Sequence, residues 1–169
     1  MTARLLPELP SGSSLLLVRI GEPSNNDLRL VLLEMKTQPA VVDTEFGAAH
    51  PVEPDETSRG FELTWWCYLG YSIRNESYFK PEDGAASGPG PVGTVTNSAY
   101  LAYIAATTFA TNDYPGPLTH WFVDTQWHCI DVVSDSPPEV RELEATEVLT
   151  LLEDDRSRPG PGSPGRQIH

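Results

Sequence analysis

The sequence predicts an α+β protein built on a largely antiparallel, twisted β-sheet, with one or two helices packed on one face and a disordered C-terminal tail. The main observation is residues 61–74, where an apolar side chain stands at every odd position from Phe61 to Ile73. This period of two predicts one long β-strand with a buried face. Apolar runs bounded by turn formers precede it, and a helical segment follows it.

The even positions of the long strand include Trp66 and Tyr68. Aromatic side chains on the second face of a strand need cover from a helix, a loop or a partner. We expect the helix that follows to pack across them.

Two strands are predicted ahead of the long strand, at residues 14–20 and 28–35. Residues 21–27 between them contain Gly, Pro, Asn and Asp, which favours an antiparallel pair joined by a loop. A third short strand is predicted at 40–43, and 44–60 is typical of a surface loop. If the chain is a structural subunit of a larger assembly, strand 28–35 is the candidate unpaired edge.

One helix of about three turns is predicted at 98–110, with Asn97 or Ser98 as its cap. The Gly-, Pro- and Ser-rich segment 81–93 ahead of it is predicted to be flexible.

Two later segments leave alternatives open. The aromatic run 119–133 fits either one bent strand or a hairpin that turns near Asp124 and Thr125, and 139–152 fits either a helix or a strand. Together these elements predict a single globular domain over 12–152. Residues 153–169, rich in Pro, Gly and Ser towards their end, are predicted to be a disordered tail.

The net charge of the chain limits the classes of partner that it is expected to bind. The chain carries 11 Lys and Arg against 24 Asp and Glu, a net charge of −13, which argues against binding a nucleic-acid backbone. An acidic surface favours a protein partner with a basic surface, or simple solubility. No apolar run approaches the roughly 20 residues of a membrane span, and Pro7 and Pro10 interrupt any signal sequence. These observations predict a cytoplasmic protein that does not enter a membrane.

No standard catalytic, phosphate-binding or metal-binding motif occurs, and we assign no catalytic residue, metal ligand or cofactor. One candidate cluster for a metal or for acid–base chemistry is nevertheless present, because a turn at Asp124 brings His120 and His128 opposite each other. Asp131 lies between two apolar strand residues and needs a partner, for which Arg74 is the candidate.

The leading hypothesis is a small acidic cytoplasmic protein that acts by protein–protein binding, of the immunity, inhibitor or accessory-subunit type. Aromatic side chains near charges are typical of interface hot spots. The candidate contact residues are Trp66, Tyr68, Arg74, Glu76 and Tyr78. The alternative is a small-ligand-binding or metal-assisted hydrolytic enzyme that uses the His120/His128/Asp124 cluster. The absence of a catalytic motif favours binding over enzymatic activity.

Overall fold

The computed structural model describes residues 6–7, 13–81, 86–87 and 90–157 of the 169-residue chain. These residues form two five-stranded β-sheets, a two-stranded hairpin and two α-helices. The strands of each sheet pair antiparallel, so the predicted α+β class with largely antiparallel strands is confirmed.

The strands in chain order are β1 (Ser14–Gly21), β2 (Leu28–Thr37), β3 (Val42–Thr44), β4 (Gly47–Ala49), β5 (Val52–Glu53), β6 (Gly60–Trp65), β7 (Tyr68–Asn75), β8 (Ala86–Ser87), β9 (Val92–Thr96), β10 (Thr119–Asp124), β11 (His128–Ser134) and β12 (Glu139–Leu143). The helices are α1 (Ala99–Thr107) and α2 (Ala145–Ser157), and a short 3₁₀ helix, Glu76–Tyr78, follows β7. The first sheet has the order β1-β2-β6-β12, with β5 also paired to β2, and the second has the order β7-β11-β10-β9-β8. Strands β3 and β4 form the separate hairpin.

The two sheets pack face to face around one hydrophobic core, because alternate residues of each sheet point inward. From the first sheet the buried contributors include Leu28, Leu30, Leu32, Phe61, Leu63 and Trp65, and from the second Val92, Trp121, Val123, Ile130 and Val132. The molecule is therefore a β-sandwich, where the sequence predicts a single sheet.

The helices lie on opposite outer sides of this sandwich. Helix α2 contacts β1 and β2, and its Val148 is buried with Leu16 and Leu33 on the outer face of the first sheet. Helix α1 contacts β10, and its Ile104 fills the space over Gly70 on the outer face of the second sheet. The predicted arrangement with the helices on one face is therefore replaced by one helix on each side. Neither helix of the described residues is long and apolar enough to cross a bilayer.

The predicted long strand 61–74 is wrong in one respect: it is two strands in different sheets. Strand β6 belongs to the first sheet and β7 to the second, and the chain crosses between them at residues 66–67. The odd residues of β6 face the core, whereas in β7 the even residue Tyr68 packs against that core together with Tyr71, because the pairing register shifts between them. Alternation reports which side of a strand is buried and contains no information on which sheet the strand joins.

Helix α1 does not cover Trp66, contrary to the expectation. The Trp66 side chain is 58% exposed, and its Nε1 donates to Glu139 Oε2 at 2.9 Å. Tyr68 is half-buried and packs edge-on against Tyr71 with ring centroids 5.3 Å apart.

The remaining elements resolve the open alternatives. The run 119–133 is a hairpin, β10 and β11, and 139–152 holds both a strand, β12, and most of α2. Strand β2 pairs with β1 and β6, so the proposal that 28–35 is a sheet edge is wrong. The surface-loop prediction for 44–60 misses β4 and β5.

The helix cap, the flexible segment and the tail have different outcomes. Ser98 caps α1, accepting a hydrogen bond from Leu101 N at 2.9 Å, as predicted. Within the predicted flexible segment, residues 82–85 and 88–89 lie outside the described residues. Helix α2 extends to Ser157, five residues into the predicted tail, and 158–169 likewise lie outside the described residues.

The contact between α2 and the first sheet depends on a glycine. A Cβ added at Gly60 would lie 2.6 Å from Val148 Cγ2 and 3.1 Å from both Leu143 Cβ and the Leu143 carbonyl oxygen. We expect Gly60→Ala to lower the free energy of unfolding by about 1–3 kcal/mol, because α2 and β12 have to shift. Urea unfolding followed by circular dichroism measures the change.

Gly21→Ala is the matched control, because a Cβ at Gly21 has no heavy atom within 4 Å. We expect that variant to lie within about 1 kcal/mol of the parent protein. Equal effects of the two substitutions would contradict the close packing of α2 on β6.

Candidate functional site

An open cavity of about 210 Å³ lies on the outer face of the second sheet. It is lined by Arg74, Glu76, Phe79, Pro81, Val95, His120, Phe122, Asp124, Cys129 and Asp131. The residues of β10 and β11 in this wall alternate with those that enter the core, so they share the side of the sheet that α1 covers in part. The cavity therefore combines strand side chains with the turn that follows β7.

One of the residues that line the cavity is a buried carboxylate, Asp131, which is 1% exposed. Arg74 Nη2 donates to its two oxygens at 3.0 and 2.8 Å, which confirms the partner predicted from the sequence. Ser72 Oγ donates to Asp131 Oδ2 at 3.0 Å, and His120 Nε2 lies 3.0 Å from Oδ1. Burial by itself raises the pKa of the Asp131 carboxyl. These hydrogen bonds and the charge of Arg74 outweigh burial and lower that pKa below its ordinary value.

The same network reaches the start of α1. His120 Nδ1 lies 2.6 Å from Ser98 Oγ, which also accepts from Leu101 N. Since the Asp131 carboxylate only accepts, we infer from these contacts that His120 carries its proton on Nε2 and that the Ser98 hydroxyl donates to Nδ1. The second sheet is thereby joined to the helix N-terminus.

Ser98, His120 and Asp131 are the residue types of a hydrolase triad. Their placement supports a structural role instead. Ser98 is 7% exposed, its oxygen caps α1, and it is not part of the cavity wall. A nucleophile has to meet its substrate, and this hydroxyl is enclosed between helix and sheet.

The predicted cluster of His120, Asp124 and His128 does not form. The turn includes residues 125–127, so His120 pairs with Val133, and Asp124 pairs with Cys129. His128 has the parity of the core residue Ile130, which places it on the opposite side of the sheet from His120. Among the described residues, no group of three or more His, Cys, Asp or Glu side chains has an arrangement suited to a metal ion.

Glu76 and Asp124 also line the cavity, and neither belongs to the buried Asp131 network. Both also line a neighbouring cavity of about 420 Å³, together with residues at the start of β1 and in the β10–β11 turn. Partial burial raises the pKa of Asp124, and the negative charge of Glu76 acts in the same direction. Neither carboxylate forms an ion pair with a Lys or Arg within the described part of the chain.

Cys129 is the one thiol in the cavity wall, and its Sγ donates to Asp124 Oδ1 at 3.7 Å. Burial first, and then the charge of Asp124, raise the pKa of the thiol to about 11. A thiol with that pKa stays protonated at neutral pH and is a weak nucleophile.

Two exposed aromatic side chains belong to the same two chain segments as the Glu76 and Asp124 carboxylates. Tyr78 is 87% exposed on the 3₁₀ helix, and Trp127 is 55% exposed at the tip of the β10–β11 hairpin. Glu76 N donates to the Trp127 carbonyl at 3.0 Å, so the two loops that carry these rings are bonded together. We call Glu76, Tyr78, Asp124 and Trp127 the acidic rim.

The five predicted contact residues divide between the two ends of β7. Arg74, Glu76 and Tyr78 lie at or beside the cavity. Trp66 and Tyr68 lie at the other end of the strand, roughly 23 Å away at 3.3 Å per residue. Tyr68 is committed to the β1–β2 loop there, since its hydroxyl donates to Glu22.

Phe79 and Phe122 are parts of the site that were not predicted from the sequence. Phe122 shares parity with His120 and Asp124, which is a signal available from the hairpin alternative. Phe79 has no such signal, because its position depends on the 3₁₀ turn that folds the chain back over β7. The two rings lie 5.8 Å apart by centroid.

Comparisons with protein-family models, curated proteins and solved structures each gave no match to this chain. No residue role is therefore transferred from a relative.

The Asp131 network provides a stability test. We expect Asp131→Asn to lower the free energy of unfolding at pH 7 by about 3 kcal/mol, because removing one partner leaves buried polar groups without their bonds. Urea unfolding followed by tryptophan fluorescence measures the loss. Asp113→Asn, at an exposed position, is the matched charge control, and we expect it to stay within about 0.5 kcal/mol of the parent. Similar losses in both variants would contradict the network.

The pH dependence of that loss has a definite sign. The folded-state pKa of Asp131 is lowered, so its stabilising contribution is complete above the unfolded-state pKa of about 3.9 and declines as the pH falls through the folded value. We expect the stability difference between the parent and Asp131→Asn to be constant near neutral pH and to shrink below about pH 4. Urea unfolding of both proteins across this range measures it, and a difference that grows on acidification would contradict the assignment.

Proposed function

We propose that this protein acts by binding another protein with a basic surface, and that the acidic rim is the contact. The observation that carries the proposal is the pair of carboxylates, Glu76 and Asp124, without an ion-pair partner in the described structure and beside two exposed aromatic side chains. This is a binding role of the immunity, inhibitor or accessory-subunit type.

The aromatic rings supply the affinity in this proposal. Tyr78 and Trp127 expose large apolar surfaces to water, and burying such surfaces is the main favourable term in association. Tyr and Trp are enriched at the energetic centres of interfaces, where charged neighbours set orientation. The hydrogen bond between Glu76 N and the Trp127 carbonyl holds both loops in place, which reduces the entropy lost on binding.

In this proposal the negative charge of the protein attracts and orients the partner. The net charge of −13 attracts a basic partner at long range. The one guanidinium among the cavity-lining residues, that of Arg74, is bonded to Asp131 rather than to Glu76 or Asp124. Within the described residues the rim therefore has no ion-pair partner, and a cation of the partner protein is its complement.

The geometry favours this proposal over the enzyme alternative. Catalysis by His120, Asp124 and His128 requires the three side chains to meet at one substrate, and the sheet separates His128 from the other two.

A pair of tryptophans provides the test. With a photo-crosslinking amino acid at residue 78, we expect lysate of the source cells to yield one crosslinked basic protein, identified by mass spectrometry. We then expect Trp127→Ala to weaken binding of that purified partner by about 30-fold, since an aromatic hot spot contributes about 2 kcal/mol. Isothermal titration calorimetry measures the affinity.

Trp66→Ala is the matched control, because Trp66 is 58% exposed, close to the 55% of Trp127, and lies at the far end of β7. We expect this variant to bind the partner with unchanged affinity. If Trp66→Ala weakens binding and Trp127→Ala does not, the contact lies at the other end of the sandwich and the acidic rim is the wrong surface.

A further inference from the structure

We propose that the 210 Å³ cavity receives one lysine or arginine side chain of the partner, with the cationic head between Glu76 and Asp124. This inference rests on the proposed function and adds to it the chemical class of the group that is recognised. It also assigns a role to the apolar residues of the cavity wall, which binding at the acidic rim alone does not require.

The charges at the mouth select a cation. Asp131 is neutralised by Arg74, so the uncompensated charges of the wall are those of Glu76 and Asp124. Burial raises the pKa of Asp124, and the negative charge of Glu76 acts in the same direction, so the two carboxylates repel each other. A cationic head removes that repulsion and gains a charge-assisted hydrogen bond.

The inner walls select a long, partly apolar side chain. Phe79, Phe122 and Val95 line the cavity and offer apolar contact to the methylene stem of a lysine or arginine. Phenyl faces also attract a cation, and the guanidinium carbon of Arg74 already lies 4.9 Å from the Phe79 centroid. A volume of about 210 Å³ is below the usual range of about 300–1,000 Å³ for a whole small-molecule site, so this part of the surface suits a single side chain.

An anion is the competing occupant, because Arg74 Nε is buried without a hydrogen-bond partner. The charge balance opposes it. The Arg74 head is bonded to both Asp131 oxygens, and an anion in the cavity shares its wall with Glu76 and Asp124. Desolvating an anion beside two carboxylates is unfavourable, so a cation remains the better complement.

The test is a two-dimensional amide NMR titration of the full chain with N-acetyl-argininamide. We expect saturable shifts centred on Phe122, Asp124 and Cys129, with a millimolar Kd. The neutral isostere N-acetyl-citrullinamide and the anion N-acetyl-glutamate should each bind at least about tenfold more weakly, since the charge contact contributes more than about 1.4 kcal/mol.

The matched variants change charge equally. Glu76→Gln with Asp124→Asn removes two charges at the cavity, and Asp43→Asn with Glu45→Gln removes two from the exposed β3–β4 hairpin. We expect the first pair to weaken argininamide binding by at least about tenfold and the second to leave it within about twofold. Dispersion of the amide spectrum checks the fold, and the citrulline comparison needs no variant. No saturable shift, equal binding of citrullinamide, or tighter binding of N-acetyl-glutamate would overturn the inference.

Competition separates this inference from the proposed function. Saturating argininamide is expected to displace the purified partner. If argininamide binds in the cavity without displacing a partner whose affinity depends on Trp127, the acidic rim is still the contact and the side-chain inference is overturned. If partner affinity is unchanged by Trp127→Ala, the proposed function fails, whatever the argininamide titration shows.

Discussion

The buried carboxylate of Asp131 is the constraint on which the second sheet and its cavity depend. A charge that is 1% exposed is tolerated only with a cation and hydrogen-bond donors around it, and Arg74, Ser72 and His120 supply them from the two neighbouring strands. His120 extends the network to Ser98 and so to the cap of α1. One carboxylate thus joins three strands and a helix.

The ion pair between Arg74 and Asp131 determines the charge of the neighbouring surface. Because the Arg74 guanidinium is paired with Asp131, Glu76 and Asp124 have no Lys or Arg partner among the described residues. The same contact holds Arg74 over Phe79, which positions one apolar wall of the cavity. Stability depends on the buried network of Asp131, and the proposed recognition depends on Glu76 and Asp124, which lie outside that network. The two are therefore separable by substitution.

The two faces of the second sheet differ in what they contact. The inward face carries Trp121, Val123 and Ile130 into the core shared with the first sheet. The outward face carries polar groups, and α1 covers it only in part, through Ile104 over Gly70. The uncovered remainder is where the cavity lies. A helix buried against the full width of the sheet would leave no such opening.

Local features were predictable from the sequence alone: the alternation over β6, the Ser98 cap, and the need of Asp131 for a partner such as Arg74. These follow from neighbours in the chain, from parity and from the cost of burying a charge. Tertiary structure decided that 61–74 crosses between two sheets, that His128 faces away from His120, and that Phe79 folds back beside Phe122. A period of two is the same in one sheet as in two, and turn register depends on which strands pair, so only the packed molecule specifies which side chains meet.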